Sequence, residues 1–136
     1  MNNQQEQLFT ELTPEEGAVI EGGATLFLYG VYAVRAGADK GGFLPGDSGD
    51  DLYVKVNEKT VFGPKKDVDT GEFVRINKKV SFTGSAKVSL FDEDPGIDPD
   101  DFLGGFKAGS TPSNVFTKVR VKGSGSIYDV IYRVTA

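Results

Sequence analysis

From residue 24 onward the chain is written in short strands, and this punctuated alternation constrains its fold more than any other feature. Residues 26–34 form a long apolar run, and residues 52–57 alternate, with Val54 and Val56 on one face. Further strand patterns cover 72–76, 80–82, 86–91, 115–122 and 126–134. Turn chemistry separates them: Gly41-Gly42, Pro45-Gly46, Asp69-Thr70-Gly71, Gly84-Ser85 and Gly123-Ser124-Gly125. About seven or eight short strands at this spacing predict an all-β sandwich or barrel. No internal repeat is visible.

Two acidic stretches interrupt the strands. The sharper runs from Phe91 to Gly104 and carries Asp92, Glu93, Asp94, Asp98, Asp100 and Asp101, with Pro95, Gly96 and Pro99 keeping it off a helix. It follows a clean alternation of Ala86, Val88 and Leu90 with Lys87 and Ser89. Carboxylates at that density repel one another unless water or a hard cation screens them. Calcium, which takes about six to eight oxygen ligands in flexible geometry, suits such a loop. Asp92 and Asp94 stand two residues apart, so extended backbone points both carboxylates the same way. The second stretch covers 39–51 and brings Asp39, Asp47, Asp50 and Asp51 between the first two strands. Loops of a sandwich cluster at its two ends. Acids from both stretches can therefore share an ion if both lie at one end. The spacing lacks the later ligands and the glycine of an EF-hand loop.

Composition narrows the chemistry. There is no Cys, no His and no Trp, which removes thiol nucleophiles, disulfides and the common zinc ligands. Oxygen donors remain, and these suit calcium or magnesium. Paired carboxylates can cleave glycosides, but here they crowd one loop with no apolar pocket evident, so no enzyme is expected. The net charge is −5, and residues 1–23 hold five acids and no Lys or Arg. The remainder is formally neutral, which disfavours nucleic acid as a partner. No apolar run reaches the roughly 20 residues of a spanning helix.

Residues 1–23 read differently from the body. Thr13 is a candidate N-cap, Pro14 occupies the first helical position, and Glu15 and Glu16 favour the helix N-terminus. Gly22-Gly23 stops the helix. With Leu12, Thr13, Glu16 and Ile20 before Gly22-Gly23, the segment resembles the double-glycine leaders cut by peptidase-containing ABC exporters. It departs from them at Gly17. The resemblance implies cleavage after Gly23, a mature chain beginning at Ala24, and a secreted or cell-surface location. The alternative is an ordinary helix with a glycine cap ahead of a strand, in a cytoplasmic protein.

The body resembles the C2 domain, a calcium- and phospholipid-binding β-sandwich. Asp51-Leu-Tyr-Val-Lys-Val56 is similar to that family's Asp-Pro-Tyr-Val-Lys-Val, with Leu52 in place of proline. Residues 88–94 resemble its strand ending in Asp-x-Asp, and Asp101-Phe-Leu-Gly104 its Asp-hydrophobic-hydrophobic-Gly. The opening residues 26–36 and the closing residues 125–134 fit as well. The resemblance implies an antiparallel β-sandwich over 24–136, preceded by a leader over 1–23. It also implies Ca2+ ligands at Asp51, Asp92, Asp94 and Asp101. The family's earlier first-loop aspartate falls on Pro45, so Asp47 or Asp39 takes that place, and Asp100 competes with Asp101. Phe43, Leu44 and Ile97 at the loop tips either contact membrane or pack on the sandwich end. Lys65-Lys66 and Lys78-Lys79 read as edge-strand lysines ahead of a polybasic face for anionic lipid. The leading expectation is an exported calcium-binding module that engages an anionic lipid or surface polymer. The alternatives are a metal-independent structural or adhesive sandwich and an exported bacteriocin-like precursor.

Overall fold

The computed structural model describes residues 23–38, 49–94, 96–97, 99–113 and 115–136. Eight strands follow one another: β1 (Ala24–Arg35), β2 (Asp50–Val56), β3 (Lys59–Val68), β4 (Phe73–Phe82), β5 (Ser85–Asp92), β6 (Asp101–Gly109), β7 (Thr117–Gly123) and β8 (Ser126–Thr135). They form two four-stranded sheets, ordered β4-β1-β8-β7 and β3-β2-β5-β6. Every described pairing is antiparallel. The chain is an antiparallel β-sandwich.

The strands turn one apolar face inward. Leu52, Val54 and Val56 of β2 and Val88 and Leu90 of β5 meet Leu26, Leu28, Tyr128 and Val130 of the other sheet in a single buried cluster. Each large apolar side chain so buried contributes roughly 1.5–3 kcal/mol. In β1 the inward set is Leu26, Leu28, Val31 and Ala33, which breaks strict alternation. A register shift between Leu28 and Gly30 supplies the extra residue. Gly30 must stay small there, because a Cβ would lie 2.4 Å from the Phe73 ring and 2.7 Å from the Val74 carbonyl.

Several strand boundaries differ from those predicted. β3 and β6 carry no clear alternation and were not anticipated as strands. β3 contains Gly63 and Pro64, is largely exposed, and pairs with β2 through three register irregularities. Residues 101–104, expected in a loop, already belong to β6. The patterns at 72–76 and 80–82 are one strand, β4, interrupted by Asn77 at φ 56°. β7 starts at Thr117, leaving Val115 and Phe116 exposed before it. Lys65-Lys66 and Lys78-Lys79 lie on β3 and β4, each an edge strand of its sheet.

The proposed leader helix and Gly22 fall outside the described residues. Gly23 does not: its φ is +96°, and a Cβ there would meet the Phe82 carbonyl oxygen at 2.1 Å. In the uncut chain this backbone geometry calls for glycine at the position.

Candidate metal centre

One end of the sandwich gathers the end of β5 and the starts of β2 and β6. Asp92 continues the core-facing phase of Ala86, Val88 and Leu90, so it is drawn inward to 0% exposure. In the ladder it stands opposite Leu52 on β2 and Asp101 on β6. Its Oδ1 accepts the Asp51 backbone N–H at 2.6 Å. Asp94 lies two residues further on, and both Asp94 and Asp101 are half-buried.

Asp92, Asp94 and Asp101 each bring a carboxylate oxygen within 4.8 Å of the other two. Three points so spaced share a centre at most about 2.8 Å from each, close to the Ca–O distance of about 2.3–2.6 Å. The donor set is all oxygen and anionic, which is calcium's preference. These residues fit a hard divalent cation with small side-chain adjustments.

Among the described residues, Asp100 and Glu93 are occupied otherwise. Asp100 accepts the Asp94 backbone N–H at 3.0 Å through Oδ1 and the Tyr53 hydroxyl through Oδ2. The phenol bond holds the Asp100 carboxyl below the usual carboxylate range. Burial, then the bond to Asp100, pushes the Tyr53 phenol up to about 12. Tyr53 is itself stacked on Phe91 at 5.2 Å. Asp100 thus ties the turn to the outer face of the β3-β2-β5-β6 sheet, while Asp101 joins the cluster. Glu93 takes Lys66 Nζ at 3.0 Å. Not all six acids therefore rely on a cation.

Asp51 sits at the edge of this group and is not one of the three convergent carboxylates. Its Oδ1 accepts the Asp67 N–H at 2.9 Å, and its Oδ2 lies 3.7 Å from Lys66 Nζ. Ile97 is fully exposed at the turn tip. Asp39, Asp47, Phe43 and Leu44 lie outside the described residues, as does Asp98.

Asp50 carries a role that the sequence reading did not assign. It is fully buried, and its Oδ2 accepts Ser126 Oγ–H and Tyr128 O–H, each at 2.8 Å. Its Oδ1 accepts the Ala38 N–H at 3.0 Å. One carboxylate so joins β2 to β8 in the opposite sheet and holds Ala38 beside Asp50. Burial and the Asp50 bond drive the Tyr128 phenol far above its ordinary range. The signal was present: Asp50 shares the inward phase of Leu52, Val54 and Val56.

No protein-family model and no curated protein sequence matches this chain. Solved structures do match in fold. A C2 domain aligns at TM-score 0.53 and 17% identity, covering 83% of this chain and 99% of its own. The tandem C2 domains of extended synaptotagmin 2 align at 0.51 and 16%, covering 85% of this chain and 40% of their own. A C2 domain of plant extended synaptotagmin 1 aligns at 0.50 and 12%, covering 85% and 95%. The fold is C2-like.

Proposed function

We propose that this chain is a calcium-binding module that takes up Ca2+ between Asp92, Asp94 and Asp101 at one end of its sandwich. The observation that carries the reading is the convergence of three carboxylates within 4.8 Å on a buried strand end. Here the β5–β6 ladder sets Asp92 opposite Asp101, and Asp94 follows two residues on. A bound cation would supply charge neutralisation and order; Asp92 would be the fixed ligand, and Asp94 and Asp101 the adjustable ones. Asp51, and Asp39 or Asp47, stand as further ligands under this proposal. The C2-like fold supports a binding module over an enzyme.

Uptake of a divalent ion would turn this end from acidic toward neutral and so admit an anionic lipid or surface polymer there. Export with cleavage after Gly23 belongs to the same reading. It would release a chain beginning at Ala24, the first residue of β1.

Thermal unfolding with millimolar calcium against chelator tests the metal. Binding to the native state raises the midpoint by mass action, and an unchanged midpoint sinks the proposal. Intact mass of the secreted form tests the leader. Any first residue other than Ala24 counts against it.

A further inference from the structure

The body is formally neutral, yet the fold sorts its charges. Successive residues of a strand face opposite sides, so the registers assign each outward side chain. On the β4-β1-β8-β7 sheet the outward bases are Arg35 of β1, Arg75 and Lys79 of β4, Lys118, Arg120 and Lys122 of β7, and Arg133 of β8. Asp129 is the one acid among the described outward residues of these strands, and it takes the Arg120 guanidinium through two bonds of 2.8 and 3.1 Å. Six outward bases then have no acid opposite them on that face. Two of them, Arg75 and Arg133, lie over a contiguous aromatic cluster. Tyr29 touches Phe27, Phe73 and Phe116 at ring separations of 6.4, 5.7 and 5.6 Å. Phe73 is 40% exposed, Phe116 45% and Val115 67%.

We propose that this sheet face is a second docking surface, independent of calcium, for an anionic phospholipid bilayer. Charge complementarity selects a polyanion, and the state of the rings selects among polyanions. Arg75 covers the Tyr29 ring at 5.5 Å, and Arg133 covers Phe116 at 4.9 Å. Nucleic-acid bases and sugar rings stack on open aromatic faces, and on Tyr29 and Phe116 a guanidinium group already covers a face. What the aromatics still offer is apolar edge within a cationic surround. That suits a bilayer interface, where aromatic rings sit at head-group level and bases meet anionic lipid. Beside the aromatics an open cleft of about 790 Å³ is lined by Thr25, Phe27, Lys78, Lys79, Arg133 and Thr135. Its ammonium, guanidinium and hydroxyl donors suit a phosphate head group.

The test is co-sedimentation of the full chain with vesicles in chelator, so that failure of the calcium site leaves the result untouched. Vesicles of phosphatidylcholine with about 30% phosphatidylserine should bind the chain more weakly as salt rises, and pure phosphatidylcholine should not bind it. Each base near an anionic surface is worth about fivefold in partitioning, so a Lys79→Ala, Lys118→Ala, Lys122→Ala triple variant should lose on the order of a hundredfold. Phe116→Ser should also weaken binding, measured well below the variant's own melting midpoint. A control triple on the other sheet, Lys55→Ala, Lys87→Ala, Lys107→Ala, should stay within about twofold. Equal binding by the first triple, or loss confined to the control, overturns the proposal. So does failure to bind phosphatidylserine vesicles, whether the face instead takes a polynucleotide, a second copy of the chain or residues 1–22.

Discussion

Replacing Asp94 with Asn should stabilise the protein without calcium and weaken it toward calcium. The three convergent carboxylates form three like-charge pairs no more than 4.8 Å apart. At water's dielectric constant each such pair costs about 0.9 kcal/mol, and about half that at physiological ionic strength. Asp94→Asn removes two pairs and leaves one, so the chelated protein should gain about 1 kcal/mol. At this chain length that is roughly 3–5 °C in melting midpoint. A divalent ion about 2.5 Å from the lost oxygen would forfeit about 3 kcal/mol even in water-like surroundings, on the order of a hundredfold in affinity. Two melting series, in chelator and across a calcium titration, give both signs. The variant should melt above the parent in chelator, and the order should reverse once the parent saturates. A variant that melts lower in both would refute the reasoning, because Asp94 would then be a structural acceptor and not a repelled ligand.

Tyr128→Phe should cost about 1.5–3 kcal/mol, since it removes one of the two donors on the buried Asp50 Oδ2. Calcium affinity should hold, and a loss below about 0.5 kcal/mol in urea unfolding would contradict the inter-sheet role. Because the folded Tyr128 phenol is raised, its contribution is intact below the unfolded value near pH 10 and declines as pH rises further. Tyr53, also raised, titrates in the same window, so the parent's slope should exceed that of Tyr128→Phe by up to about 1.4 kcal/mol per pH unit, as unfolding between pH 9 and 11 would measure. Gly104→Ala should destabilise by more than about 2 kcal/mol, because φ is +119° and a Cβ would meet the Lys122 backbone N at 2.6 Å. A Gly104→Ala protein with parental stability would mean that β6 and β7 can separate freely.

The sandwich was legible because most strands have one wet and one dry face, and β2 and β5 show it plainly. β3 was not, because an edge strand with bulges, Gly63 and Pro64 buries little and keeps no period. β6 was hidden by Gly104 and Gly105, which let backbone approach closely but leave no side chain to read. At the candidate metal centre, the convergence of Asp92 and Asp94 followed from strand parity. The choice between Asp100 and Asp101 did not, since it turns on the Tyr53 hydroxyl reaching Asp100 from another strand. The basic face was invisible for a similar reason. Arg75, Lys79, Lys118, Lys122 and Arg133 are scattered along the chain, and only the strand order makes them neighbours. A formally neutral composition therefore concealed a polarised surface.

The sheet orders also fix a timetable. All four strands of β3-β2-β5-β6 have been synthesised by Gly109, so the half that bears Asp92 and Asp101 has its sequence early. Its covering sheet does not, because β1, the first strand, is held between β4 and β8, the last. Until residues 126–135 emerge, one edge of β1 lacks its neighbour and the inner face of the early half stays wet. The Asp50–Tyr128 bond spans 78 residues and belongs to this final step. Contacts so distant in sequence make folding slow. A growing chain would then hold its carboxylate end nearly complete in sequence while its two halves were still waiting to meet.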